Sequence, residues 1–163
     1  MRYRSTLPFV ASLVLAAAVA PAAAEEPPAG NYAAWIGKEA PAFRLTSVDG
    51  KKVALSDYHG KLVVIHFGAS WCPFCNAEAP HLESLWKTYR ERGVQVLIVD
   101  VGEPGETVRK WAAMSGVTFP VLLDGDGKAA RAWAPDGAQR DLPRDRVVIA
   151  SNAIVDRKGK LVF

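Results

Sequence analysis

The chain has 163 residues, of which 50% are hydrophobic and 23% are charged. This composition is typical of one globular domain and excludes a disordered chain. The formal net charge is +3, but Arg2 and Arg4 lie at the extreme N-terminus. The rest of the chain has 18 basic and 17 acidic residues. A near-neutral remainder gives no indication of a nucleic-acid partner.

Residues 1–24 have the form of a secretory signal peptide. Arg2 and Arg4 precede a mainly apolar stretch at 7–20, and small residues follow at 22–24, where a signal peptidase would cleave. An uncleaved membrane anchor is the alternative, although an apolar run of about 14 residues is short of the ~20 that a spanning helix needs. We therefore expect an exported chain, periplasmic or membrane-anchored, in a compartment where disulfides persist.

After a leader segment at 25–34, a single domain is predicted over residues 35–163. Apolar and polar residues alternate on both sides of the Asp49–Gly50 turn, which predicts a β-hairpin. The β-branched run at 62–67 predicts a strand buried on both faces. Apolar residues then recur at helical spacing from Pro73 to Arg92, with Pro73 suited to the first turn of a helix.

The later elements alternate in type. The predictions are a strand at 94–99, a helix at 106–115, a strand at 120–123, a short helix at 129–134, a surface insertion at 135–145, a strand at 147–155 and a final extended segment at 161–163. Strands and helices that alternate through short turns predict an α/β fold with helices on both faces of one sheet. Because no helix would cover the final strand, a C-terminal element is either missing or dispensable.

The chain has two cysteines, Cys72 and Cys75, at the start of the predicted helix. A loop this small removes little entropy from the unfolded chain, so the pair serves chemistry rather than stability. Unpaired amides and roughly half a positive charge at a helix N-terminus stabilise a thiolate on Cys72. Cys75 lies one turn further on, within reach of a disulfide. We expect Cys72 to attack a partner disulfide and Cys75 to resolve the mixed disulfide.

A metal site is the competing interpretation of this pair. Two cysteines supply only half of the ligands of a structural zinc, and the three histidines, His59, His66 and His81, do not follow the helix. His66 alternates with apolar strand residues and is predicted to be packed in the core. The sequence therefore predicts no metal and no cofactor.

Several motifs occur in a fixed order along the chain. They are APAF at 40–43, DGK at 49–51, LSDY at 55–58, the strand and WCPFC box at 63–75, Glu78, Pro80, and FPVLLD at 119–124. Together they resemble the TlpA/ResA-like branch of thioredoxin-fold proteins, from about Trp35 to the end of the chain. The resemblance implies a thioredoxin-like fold with a central mixed sheet, an N-terminal β-hairpin and a central insertion.

The resemblance also implies an activity and partners. Members of this branch commonly act as exported thiol–disulfide oxidoreductases that keep other exported thiols reduced. Their substrates are often the cysteines of apocytochrome c awaiting haem, and their electrons come from a membrane reductase. The direction of electron flow is not given by the WCPFC box itself, because thioredoxin-fold potentials span about −270 to −120 mV.

Six further residues are expected to support the cysteines. Glu78 matches the acidic position of the family and shares a helix face with Cys75, so that it could accept the Cys75 proton; a solvated surface charge is the alternative. Trp71 is expected to shield the thiol and contact partners, Pro73 to start the helix, and Phe74 to tune potential or partner choice. At the place of the family's cis-proline this chain has Ala150 or Ser151, neither of which readily holds a cis bond.

Two other functions stay open at this point. A peroxiredoxin-like thiol peroxidase shares the fold, but its site needs proline and threonine where this chain has Ile65 and Ala69. A copper-handling or shared-thiolate binding protein on the same scaffold uses cysteines four apart and a distant histidine, which this chain lacks.

Overall fold

The computed structural model describes residues 32–137, 142–143, 145–146 and 148–163. The predicted signal peptide and most of the predicted leader lie outside these residues, as does part of the predicted insertion at 135–145. The strands are β1 Arg44–Ser47, β2 Lys52–Ala54, β3 Leu62–Gly68, β4 Val94–Val101, β5 Val121–Asp124 and β6 Ser151–Val155. The α-helices are α1 Pro73–Tyr89, α2 Gly105–Ser115 and α3 Lys128–Trp133, with 3-10 turns at Tyr32–Trp35, Leu55–Tyr58 and Arg90–Arg92.

The six strands form one mixed sheet in the order β2-β1-β5-β4-β3-β6. The strands β3, β4 and β5 run parallel, whereas β1 and β6 are antiparallel to their neighbours in the sheet. The hairpin β1–β2 turns at Gly50, which has a φ of 85° that glycine adopts without steric cost. The α/β fold with a mixed central sheet and an N-terminal hairpin is therefore confirmed.

Side chains alternate between the two faces of the sheet and build two hydrophobic layers. On one face Val64, Val96 and Ile98 pack with Leu82 of α1 and Val108 of α2. On the other face the central residues of β3 and β4 pack against α3, where the rings of Phe67 and Trp133 lie 5.4 Å apart. The prediction of helices on both faces is thus correct.

Two predicted boundaries were wrong by three residues or more, whereas the other bounds from residue 94 to 134 differ by at most two. The active-site helix ends at Tyr89 rather than Arg92, because residues 90–92 tighten into a 3-10 turn before Gly93 takes a left-handed conformation. The last long strand begins at Ser151 rather than at 147, because the chain turns through residues 148–150. In the predicted final extended segment, Leu161 forms only an isolated bridge with Val155.

Among the described helices, none has the length and apolar character needed to cross a bilayer.

Candidate active site

The two cysteines lie where β3 passes into α1. Cys72 is the N-cap of α1 and has extended backbone angles. Pro73 occupies the first helical turn, where the lack of an N–H costs no helical hydrogen bond. The backbone N–H of Cys75 donates to Cys72 Sγ over 3.2 Å. A sulfur that accepts this bond at the positive end of a helix is stabilised as a thiolate.

Cys72 and Cys75 are joined by a disulfide, with their Cα atoms 5.3 Å apart. The two residues are only 4% and 3% exposed and pack with Ala69, and the partly buried Ile149 lies against them. The disulfide is therefore formed across one helical turn and is covered from the side of the 148–150 turn.

Two aromatic side chains flank the disulfide at the surface. Trp71 is 55% exposed and Phe74 is 79% exposed, although large hydrophobic side chains are usually buried. The guanidinium of Arg146 lies over the Trp71 ring, 5.6 Å from its centroid. Phe74 lines an open cavity of about 550 Å³ together with Ala77, Glu78, His81 and Ala150.

Glu78 lies in that cavity and is bonded inward. Its Oε1 accepts a 2.6 Å hydrogen bond from Asn152 Nδ2, and its Oε2 lies 3.8 Å from His66 Nδ1. The Asn152 Oδ1 atom contacts the same His66 Nδ1 at 2.9 Å. The pairing of β3 with β6 brings His66 and Asn152 directly opposite each other. Glu78 is thus a partly buried member of a polar network with His66 and Asn152.

Ala150 and Ser151 lie at the start of β6, directly after Ile149, which packs against the cysteines. Ala150 has a φ of 66°, the one non-glycine residue among those described with a positive φ, and its N–H donates to the carbonyl of Phe67 over 2.9 Å. Ser151 pairs with Phe67, and its hydroxyl donates to the carbonyl of Val148. No peptide bond in the described residues is cis. Ala150 therefore takes the chain into β6 through a left-handed turn.

The loop before Cys72 is held by an acidic side chain. Ser70 donates its N–H and its hydroxyl to the two carboxylate oxygens of Glu103, over 2.5 and 2.7 Å. Asn76 Nδ2 of α1 donates to the carbonyl of Ser70 over 2.9 Å. These bonds hold Ser70, two residues before Cys72, between Glu103 and α1.

A buried acid lies next to this anchor. Asp100 is opposite Gly68 in the pairing of β3 with β4 and is 2% exposed. Burial, together with the charge and hydrogen bond of Glu103, raises the pKa of Asp100 to about 8. At neutral pH Asp100 is therefore protonated and can donate to the Glu103 carboxylate that holds Ser70.

Reasoning from the sequence missed Asn152, Asp100 and Glu103 and treated His66 as core packing alone. Asp100 lies at the end of the buried parallel strand β4 and Glu103 follows it, and this end meets the end of β3 at the same sheet edge; this placement was a usable signal. Asn152 is brought to the site only by the antiparallel register of β6. No group of three or more metal-ligating side chains capable of holding an ion occurs in the described part of the chain.

Comparisons with known proteins show the family of this chain. Residues 36–163 match the AhpC/TSA family. The chain is 40% identical over 98 residues to the thiol-disulfide oxidoreductase ResA of Geobacillus kaustophilus, an alignment covering 60% of this chain and 56% of the relative. It is 36% identical over 127 residues to ResA of Bacillus thuringiensis, covering 78% of this chain and 67% of the relative.

A solved structure is also similar. A proposed protein disulfide isomerase from Bacteroides thetaiotaomicron superposes with a TM-score of 0.68 at 36% identity, covering 78% of this chain and 76% of that chain. The chain belongs to the AhpC/TSA family, and the expected resemblance to the ResA-like thioredoxin-fold oxidoreductases is confirmed. It spans little more than half the length of the Geobacillus relative.

The raised pKa of Asp100 predicts how stability depends on pH. The unfolded chain releases this proton near pH 4, whereas the folded protein keeps it to about pH 8, so the contribution of Asp100 to stability is full below pH 4 and is lost as pH rises towards 8. Asp100→Asn removes this loss. From pH 5 to pH 7 the variant should gain about 2 to 3 kcal/mol in unfolding free energy relative to the wild type. Urea denaturation of the oxidised proteins measures this, and parallel pH profiles would contradict the assignment.

The left-handed conformation of Ala150 predicts a stabilising substitution. A Cβ in this region costs about 1 kcal/mol, which glycine avoids, so Ala150→Gly should stabilise the protein by about that amount. Ala153→Gly, the same exchange three residues along in an extended strand, is the matched control and should destabilise it. Thermal unfolding of both variants measures the change in Tm. Equal Tm shifts in the same direction for the two variants would argue against strain at Ala150.

Proposed function

We infer that this chain is an exported thiol–disulfide oxidoreductase that exchanges the Cys72–Cys75 pair with cysteine pairs of other exported proteins. The observation that carries this inference is the disulfide at the N-terminus of α1, with the Cys75 N–H bonded to Cys72 Sγ. The similarity to ResA proteins supports the same reaction.

The reaction runs in two displacements. In the dithiol form the Cys72 thiolate attacks one sulfur of the partner disulfide, and the other partner sulfur leaves as a thiolate. Cys75 then loses its proton and attacks Cys72 Sγ, which forms the intramolecular disulfide and releases the second partner sulfur. The partner gains two electrons, and the protein dithiol is oxidised by two.

We further infer that the chain acts as a reductant. The disulfide is buried, Glu103 holds Ser70 two residues before Cys72, and Glu78 lies on α1 three residues after Cys75, so acidic side chains flank the cysteines along the chain on both sides. Negative charge disfavours the thiolate and therefore favours the oxidised form of the protein, which makes the dithiol a stronger reductant. The N-terminal segment supports export, and the family resemblance supports apocytochrome c thiols as substrates and a membrane thiol reductase as electron donor.

Single cysteine substitutions test the reaction. Cys72→Ser should abolish insulin reduction, because the attacking sulfur is lost. Cys75→Ser should keep the attack but trap covalent mixed disulfides with substrate, visible on non-reducing gels and released by dithiothreitol. Each variant is the control for the other, since both remove the same disulfide. A Cys72→Ser protein that still reduces insulin would refute the mechanism.

Equilibration with glutathione tests the direction. We expect a potential closer to the thioredoxin value of about −270 mV than to the DsbA value of about −120 mV. Glu103→Gln should shift the potential by about 10 to 30 mV in the oxidising direction, because one carboxylate near the thiolate is removed. Glu106→Gln, an exposed exchange on α2, is the control. A potential near that of DsbA would make the chain an oxidant instead.

A further inference from the structure

Three buried side-chain atoms among the described residues have no hydrogen-bond partner: His66 Nε2, Asp100 Oδ1 and Trp133 Nε1. Trp133 lies in the hydrophobic layer on the α3 side. His66 and Asp100 lie on neighbouring strands near the active-site edge, in the register of β3 with β4. Buried polar atoms are nearly always paired, so an unpaired imidazole nitrogen beside reactive cysteines indicates a chemical role.

The bonds around His66 define its tautomer. Glu78 Oε1 accepts from Asn152, so the amide nitrogen of Asn152 faces Glu78 and the amide oxygen faces His66. An amide oxygen only accepts, and therefore His66 Nδ1 carries the hydrogen. In the neutral imidazole the other nitrogen, Nε2, then holds a free lone pair. His66 is 1% exposed, so this basic nitrogen is shielded from bulk water.

The free nitrogen faces the space above Gly68. A Cβ added to Gly68 would lie 3.1 Å from both Cδ2 and Nε2 of His66 and 3.4 Å from the Cβ of Cys75. The Nε2 edge of the imidazole and the Cys75 side chain therefore border the same small gap, which exists because residue 68 has no side chain.

We propose that His66 is the base that takes the proton of the Cys75 thiol when Cys75 resolves the mixed disulfide. The proposal rests on the proposed function and names a residue that acts in its second step. Asn152 and Glu78 are positioning residues in this scheme, since they fix the tautomer that leaves Nε2 free.

The step balances as follows. The S–H proton of Cys75 passes to His66 Nε2, and the sulfur electron pair forms the bond to Cys72 Sγ. The bond between Cys72 and the partner sulfur breaks, and its electron pair leaves on the partner as a thiolate. The imidazolium then returns its proton to that thiolate or to water, so no further oxidant, reductant or metal is required.

The charges around His66 favour the transient imidazolium. From α1, the Glu78 carboxylate lies 3.8 Å from Nδ1. From β4, Asp100 lies two residues beyond Ile98, the register partner of His66, with Glu103 on the loop that follows. From β6, Asn152 is uncharged. A proton that arrives on His66 therefore lies beside the Glu78 side chain, the nearest acidic group to the ring.

Reaction of the reduced protein with 5,5′-dithiobis(2-nitrobenzoate) separates the two steps, since each displacement releases one coloured thiolate. His66→Gln should leave the first phase unchanged and slow the second phase at pH 7 by at least about tenfold. The slowing should shrink as pH rises past the ordinary cysteine pKa of about 8.5, where water-derived base removes the proton directly. His59→Gln, an exposed histidine exchange, should change neither phase.

The possible outcomes separate the two proposals. An unchanged second phase in folded His66→Gln, or equal slowing of both phases at every pH, overturns the role of His66 while the oxidoreductase stands. A wild-type protein that releases no second thiolate overturns the proposed function itself. If His66→Gln does not melt cooperatively, Asn152→Leu replaces it and should slow the second phase selectively.

The tautomer can be examined in the wild type without any substitution. Long-range proton–nitrogen spectra of the ¹⁵N-histidine-labelled protein should show His66 with hydrogen on Nδ1 and none on Nε2 in the dithiol form. Hydrogen on Nε2 would overturn the proposal, because that nitrogen could not accept a proton from Cys75.

Discussion

The bond from the Cys75 N–H to Cys72 Sγ is the interaction on which the site depends. It exists because Cys72 caps α1 at its N-terminus, so that a free amide of the first helical turn meets the Cys72 sulfur. The same short turn places the two cysteines one helical turn apart, within reach of a disulfide. Ser70, Asn76 and Glu103 form the hydrogen bonds that hold the loop before this turn.

Opposing electrostatic effects meet at this turn. The helix terminus stabilises a thiolate on Cys72, whereas Glu103, tied to Ser70, and Glu78, tied to Asn152, place negative charge nearby. Asp100 limits the negative charge at this turn. Burial keeps Asp100 protonated at neutral pH, so that it adds no negative charge next to Glu103. The chain can thus hold a nucleophilic sulfur without strongly favouring the dithiol over the disulfide.

The sequence predicted the parts of this site that are local in the chain. Cys72, Pro73 and Cys75 lie within one helical turn, and helix capping alone predicts their arrangement. The β-branched run of β3 and its parallel partners followed from hydrophobic patterning. Asn152 was not predicted, because it reaches His66 only through an antiparallel register 86 residues away. Ala150 was placed by resemblance, but its left-handed conformation has no signal in a residue type that normally avoids it.

His66 shows why a correct prediction of burial gave an incomplete account of function. Alternation along β3 places it on the inward face beside Val64, and it is buried as that pattern requires. Burial alone, however, leaves both ring nitrogens in need of partners. One nitrogen is satisfied by Asn152, and the other faces the gap above Gly68 that Cys75 also borders. Gly68 therefore leaves room for proton transfer between His66 and Cys75. A larger residue at this position would separate the imidazole from the thiol.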